Sequence, residues 1–98
     1  MIRKTDVIER LNSLIGQELT SQNLHEAIFS EEKHKKILRR YHAGTYTYVQ
    51  YKIHIGSDAP PYVDINIPGN PNTFKVGLEE KDGQMIIKSE ARINYSYL

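Results

Sequence analysis

The sequence predicts an α+β protein in which two or three N-terminal helices pack on one face of a four-stranded antiparallel meander sheet. Two observations support this fold class: apolar residues recur at helical spacing in residues 1–44, and they alternate with polar residues in residues 45–98. The chain has 98 residues and no Gly/Ser-rich linker, a length that suffices for one core. We therefore expect a single domain that spans residues 1–98.

The helical part contains segments that begin and end at recognisable capping residues. The first helix is expected between an N-cap at Thr5 or Asp6 and a stop at Gly16, and the second begins at Thr20 or Ser21. The apolar residues of the first helix share one face: Val7, Ile8, Leu11, Leu14 and Ile15. These segments are amphipathic, so each has a side that must be buried.

Alternation of apolar and polar residues predicts four strands in the second part of the chain. The strands are expected at residues 45–55, 62–67, 74–78 and 85–97, the last as one strand of about thirteen residues. Asp82-Gly83 predicts a two-residue hairpin before the last strand. Short connections favour neighbouring antiparallel strands, hence the meander. The positions expected to be buried beneath Leu11, Ile37 and Leu38 are Val49, Ile53, Ile65, Val76, Ile87 and Ile93.

Composition and charge exclude several classes of function. The absence of cysteine excludes a disulfide scaffold, a Cys-ligated metal site and a thiol nucleophile. The formal net charge of +1 argues against wholesale binding of polyanions. No apolar run approaches the roughly 20 residues of a membrane span, and no signal-peptide core follows the N-terminus. We expect a soluble, cytoplasmic protein without a membrane partner, a metal or a cofactor.

The most concentrated charge feature lies in a third predicted helix, residues 30–42. With Ile37 and Leu38 facing inward, five basic residues lie on or beside its outer surface: Lys33, Lys35, Lys36, Arg39 and Arg40. Such a row can follow phosphate groups, which suggests nucleic-acid binding in a winged-helix-like arrangement. A solvated helix face with intrahelical ion pairs to Glu31 and Glu32 explains the same residues.

A second candidate surface is the polar side of the sheet. Tyr46, Tyr48 and Tyr62 share the parity of Lys52, so their rings are expected on the face away from the helices. Rigid aromatic side chains beside a cation are typical of surfaces that anchor a protein partner. Tyrosine is also a good strand residue, and cross-strand ring pairs stabilise a sheet without any ligand.

A third pattern is typical of metal-dependent nucleases. Asp64 is followed fifteen residues later by Glu79 and then by Lys81, which is the spacing of an acidic residue on one strand and a Glu-x-Lys pair on the next. Carboxylates in that arrangement hold a divalent metal, and the lysine assists the attacking water. Lys81 directly precedes the hairpin, however, and an open sheet face lacks the dry cavity that this chemistry needs.

No other pattern in the chain points to a catalytic site. We therefore expect a small non-enzymatic protein that binds another protein, in the manner of a regulator or inhibitor. The candidate contact residues are Tyr46, Tyr48, Tyr62 and Lys52. Nucleic-acid binding through the basic helix is the alternative, and the nuclease-like site at Asp64, Glu79 and Lys81 is the third hypothesis.

Overall fold

The structure is a computed structural model that describes residues 3–29, 49–67 and 70–96. In chain order its elements are α1 (Lys4–Asn12), α2 (Ser21–Ile28), β1 (Gln50–His54), β2 (Tyr62–Asn66), β3 (Asn72–Lys81), β4 (Gln84–Ile87) and β5 (Arg92–Ser96). The described chain is therefore α+β with an antiparallel sheet, as predicted. The predicted third helix, the first residues of the predicted first strand, and two expected core residues, Ile37 and Leu38, lie outside the described residues.

The two helices differ in how they begin. α1 starts earlier than expected, with Arg3 as its N-cap and no side-chain cap, so the predicted caps at Thr5 and Asp6 are wrong. Asp6 instead lies in the first turn, where the helix dipole favours a negative charge. At α2 the prediction is confirmed, because the Thr20 hydroxyl accepts a hydrogen bond of 3.0 Å from the Asn23 backbone N–H.

The first four strands follow each other across the sheet in chain order, and every pairing is antiparallel. The predicted hairpin is confirmed between β3 and β4. Asp82 and Gly83 have φ values of 52° and 80°, the left-handed conformation that a type I′ turn requires at both central residues. A glycine and an aspartate tolerate this conformation better than most residues.

The single long strand predicted over residues 85–97 is wrong: the structure has two strands, β4 and β5, along the same edge of β3. Ile87 pairs with Leu78 and Arg92 pairs with Lys75. The chain therefore advances five residues from β4 to β5 while β3 advances three, and the two additional residues interrupt the pairing at residues 88–91. There the Gly77 backbone N–H donates to the Ser89 hydroxyl at 2.9 Å instead of to a backbone carbonyl.

Sequence analysis cannot detect this break because the break preserves the alternation of apolar and polar residues. Inserting two additional residues leaves the side-chain parity of a strand unchanged. Ile87 and Ala91 are accordingly both buried on either side of the break. The same parity therefore fits one long strand and two short strands equally well.

The connection between the helices pairs with the outer edge of β4, which sequence analysis did not predict. The Gly16 N–H donates to the Ile87 carbonyl at 2.7 Å, and the Leu19 N–H donates to the Met85 carbonyl at 2.8 Å. Asn12, at the end of α1, accepts a hydrogen bond of 2.7 Å from the Ala91 N–H. These bonds join the helical part of the chain to the sheet.

The buried side chains of the helices and the sheet form one hydrophobic cluster. Its fully buried members are Val7, Leu11, Leu24, Ile28, Phe29, Val63, Ile65, Phe74, Val76, Leu78 and Ile87. Of the predicted core, Val49 is also buried and Ile93 is partly buried. Ile53 is 36% exposed, which contradicts its predicted burial. It lies on β1, whose one neighbour among the described strands is β2.

Neither of the two described helices has the length and hydropathy of a membrane-spanning segment.

Candidate functional site

The side of the sheet opposite the hydrophobic cluster bears a group of polar side chains that contact one another. Strand alternation and register place these side chains on one surface, since Val63 and Ile65 of β2 face the cluster. We call this surface the polar face and define it by Lys52, His54, Tyr62, Asp64, Lys75, Arg92 and Asn94. It spans strands β1, β2, β3 and β5.

Asp64 is the centre of a hydrogen-bonded network on the polar face. One of its carboxylate oxygens, Oδ2, lies 2.9 Å from His54 Nε2, and the other, Oδ1, accepts a hydrogen bond of 2.8 Å from Asn94 Nδ2. The Asp64 side chain is 18% exposed and that of His54 is 33% exposed. Both carboxylate oxygens are thus engaged, and the Asp64 rotamer is fixed from two sides.

The hydrogen bond between Asn94 and Asp64 also indicates how the sheet is curved. Asp64 is on β2 and Asn94 is on β5, with β3 between them, a separation of about 10 Å for two strand spacings. Two short side chains bridge that span where the sheet curls toward its polar side. The polar face is therefore concave at this point.

Tyr62 is held by side chains from both neighbouring strands. The His54 ring from β1 stacks on it, with 4.6 Å between ring centroids and 11° between ring planes. From β3, the Lys75 ammonium lies 4.1 Å from the centroid of the Tyr62 ring. Stacked rings and cation–π contacts are both favourable geometries, so the ring is fixed and half-buried.

Four charged residues lie in register across the polar face. Lys52 pairs with Asp64, Asp64 pairs with Lys75, and Lys75 pairs with Arg92. We call this line of residues the charge row. Within the described part of the chain, none of its three cations forms an ion pair, because the one carboxylate of the row is engaged by His54 and Asn94.

Two recesses flank the charge row. The larger, about 640 Å³, lies at the Lys52 end and is lined mainly by polar residues: Ser21, Gln50, Lys52, His54, Asp64, Asn66 and Thr73, together with Val49 and Tyr51. The smaller, about 450 Å³, lies at the other end and is lined by Lys75, Gly77, Ser89, Glu90 and Arg92. Neither is an enclosed apolar pocket of the kind that binds small molecules.

Some of the predicted contact residues are on this surface and others are outside the description. Lys52 and Tyr62 lie on the polar face, on adjacent strands. Tyr46 and Tyr48 fall outside the described residues. So do the predicted nucleic-acid contacts Lys33, Lys35, Lys36, Arg39 and Arg40.

The residues of the nuclease-like pattern are described, and the structure does not bring them together. Asp64 pairs with Lys75, whereas Glu79 is four residues farther along β3, about 13 Å away along the strand. Lys81 pairs with Gln84 at the hairpin. In the described ranges, no three His, Cys, Asp or Glu side chains cluster closely enough to hold a metal ion.

Sequence analysis missed His54, Lys75, Arg92 and Asn94 as members of one surface. Parity alone places His54 with Tyr62 and Asp64, but it does not say which residues are opposite each other. Arg92 and Asn94 were harder to assign, because the break at residues 88–91 changes the register without changing the parity. A pairing scheme that allowed this break would have found the charge row.

Comparison of the chain with protein-family models, with curated proteins and with solved structures finds no match.

Proposed function

We propose that this protein is a small non-catalytic binding module whose polar face contacts another protein. In this proposal the helices, including a third helix over residues 30–42, cover the apolar side of the sheet. The polar side is then available to the partner. The proposal fits a regulator or inhibitor type of protein, which acts by contact and needs no reacting group.

The observation that supports this proposal best is the fixed position of Tyr62. An aromatic anchor contributes most to an interface when its ring is rigid, because little side-chain entropy is then lost on binding. Tyr62 is held by His54 and Lys75 and stays partly exposed. Lys52, the other described candidate, is exposed on the neighbouring strand.

The arrangement of the same ring argues against a base-stacking role. Proteins that bind single-stranded nucleic acids stack bases on free aromatic faces. Tyr62 and His54 stack on each other, and Lys75 lies over the Tyr62 ring from the opposite strand. The predicted basic helix over residues 30–42 is the alternative route to nucleic acid, and the experiment below distinguishes it.

Site-specific photo-crosslinking in an extract of the source cells tests the proposal. A photoreactive amino acid replaces Arg92 on the polar face in one variant and Lys4 on α1 in the other. Both positions are exposed, and α1 contributes Val7 and Leu11 to the hydrophobic cluster. We expect a protein adduct at position 92 that is absent at position 4 and resists nuclease treatment. An adduct at position 4 alone, or one that nuclease removes, would contradict the proposal.

A further inference from the structure

We infer that the partner segment bound by the polar face is acidic, and that its carboxylates bind along the charge row between Lys52, Lys75 and Arg92. This inference rests on the proposed function and adds the chemistry of the partner to it. It follows from which charges on this face are already engaged and which are not.

The first step concerns Lys75 and Arg92. These two cations are directly opposite each other on β3 and β5, and their side chains line the same recess. Like charges directly opposite on adjacent strands destabilise a sheet. A carboxylate bound in this recess would be attracted by both cations, and the guanidinium of Arg92 matches a carboxylate with two parallel N–H donors.

The second step concerns the carboxylates that the face itself offers. One Asp64 oxygen contacts His54 and the other accepts a hydrogen bond from Asn94, so Asp64 forms no ion pair with Lys52 or Lys75. Glu90 lines the recess with Lys75 and Arg92, yet it forms no ion pair with either. The described cations of the row thus retain their capacity to bind an external carboxylate.

The third step concerns the hydrogen-bond donors around the smaller recess. The Ser89 hydroxyl accepts a hydrogen bond from the Gly77 N–H, which leaves its own proton free to donate. Together with Lys75 and Arg92, this gives the recess three donor side chains and one competing carboxylate, Glu90. An extended acidic segment that crosses the strands meets this recess and then Lys52, two strand spacings from Lys75.

Fluorescence anisotropy with a defined acidic probe tests the inference. The probe is a labelled peptide of about eight residues, long enough to cross four strands spaced about 4.8 Å apart, with glutamate at alternate positions. A peptide with glutamine in place of glutamate is the control, and labelled oligothymidylate is the nucleic-acid probe. We expect the wild-type protein to bind the glutamate peptide and not the glutamine peptide, with an affinity that falls as salt screens the charges.

Charge variants locate the binding. Arg92→Glu and Lys52→Glu are each expected to weaken binding of the glutamate peptide about tenfold or more, while Lys4→Glu, the same charge change on α1, leaves it unchanged. Glu90→Gln removes the competing carboxylate and is expected to strengthen binding about threefold. Circular dichroism of each variant verifies that the fold is retained. Arg92→Gln, which removes the charge without reversing it, serves where Arg92→Glu fails to fold.

Three outcomes would overturn the inference: no binding of the glutamate peptide, equal loss in Lys4→Glu, or tighter binding of oligothymidylate to the polar face. If a nuclease-resistant adduct forms at position 92 but the glutamate peptide does not bind, the proposed function is supported and the inference of an acidic partner is refuted. The two claims can therefore fail separately.

Discussion

Asp64 and Lys75 are directly opposite each other on β2 and β3, yet they form no ion pair. The Asp64 carboxylate is bonded to His54 and Asn94, and the Lys75 ammonium lies over the Tyr62 ring. Opposite charges at this separation ordinarily pair across strands. Here each member has another partner, so the polar face has a fixed carboxylate and a cation that is not held in an ion pair.

The first prediction compares two isoleucines on paired strands. Ile65→Ala is expected to lower the free energy of unfolding by about 2–5 kcal/mol, because Ile65 is fully buried and its loss leaves a cavity. Ile53→Ala is expected to cost less than about 1 kcal/mol, because this side chain is 36% exposed. Urea unfolding followed by circular dichroism measures both. An equal loss of unfolding free energy in the two variants would show that the Ile53 side chain is buried, which would contradict the prediction.

The second prediction concerns the hairpin between β3 and β4. Gly83→Ala is expected to cost about 1 kcal/mol or more, because Gly83 has a φ of 80° that alanine adopts with strain. Gly56 is the matched control, since its φ is not in the left-handed region and a Cβ there meets open space. Gly56→Ala should leave the midpoint of thermal unfolding unchanged or raise it slightly. A Gly83→Ala variant that is as stable as Gly56→Ala would contradict the turn geometry.

The third prediction tests the break between β4 and β5. A Cβ at Gly77 would overlap the Ser89 hydroxyl, so Gly77→Ala displaces Ser89 and breaks its hydrogen bond to the Gly77 N–H. We expect a loss of about 1–3 kcal/mol. In a Ser89→Gly background the overlap is absent, and the same substitution should cost clearly less. Additive effects in this double-mutant cycle would mean that the two residues are not in contact.

The strands and the hairpin could be predicted from the sequence because each depends on local patterns. Alternation located β2 and β3 from residues such as Ile65 and Val76, and the Asp82-Gly83 pair marked the turn. The cap at Thr20 is equally local, since its hydroxyl accepts a hydrogen bond from the backbone N–H of Asn23, three residues later. Periodicity and turn chemistry act over a few residues, where a single sequence is informative.

The rest of the fold depends on contacts between residues that are distant in the chain. The break at Ser89 is stabilised by Gly77, and the strand-like connection at Gly16 is stabilised by Ile87. Asn94 and Asp64 are thirty residues apart. No local pattern specifies such pairs, because they follow from register and from the curl of the sheet. Strand alternation therefore predicted which side of the sheet these side chains lie on, but not which of them contact each other.

Chemical-shift mapping by two-dimensional NMR is the most direct test of the claim that the polar face binds an acidic partner. The isotopically labelled protein is titrated with the glutamate peptide at low ionic strength, where screening is weak. The account predicts that the largest amide shifts fall at Lys52, Lys75, Ser89 and Arg92, while α1 is unaffected. Shifts centred on α1, or no shifts at any peptide concentration, would contradict it.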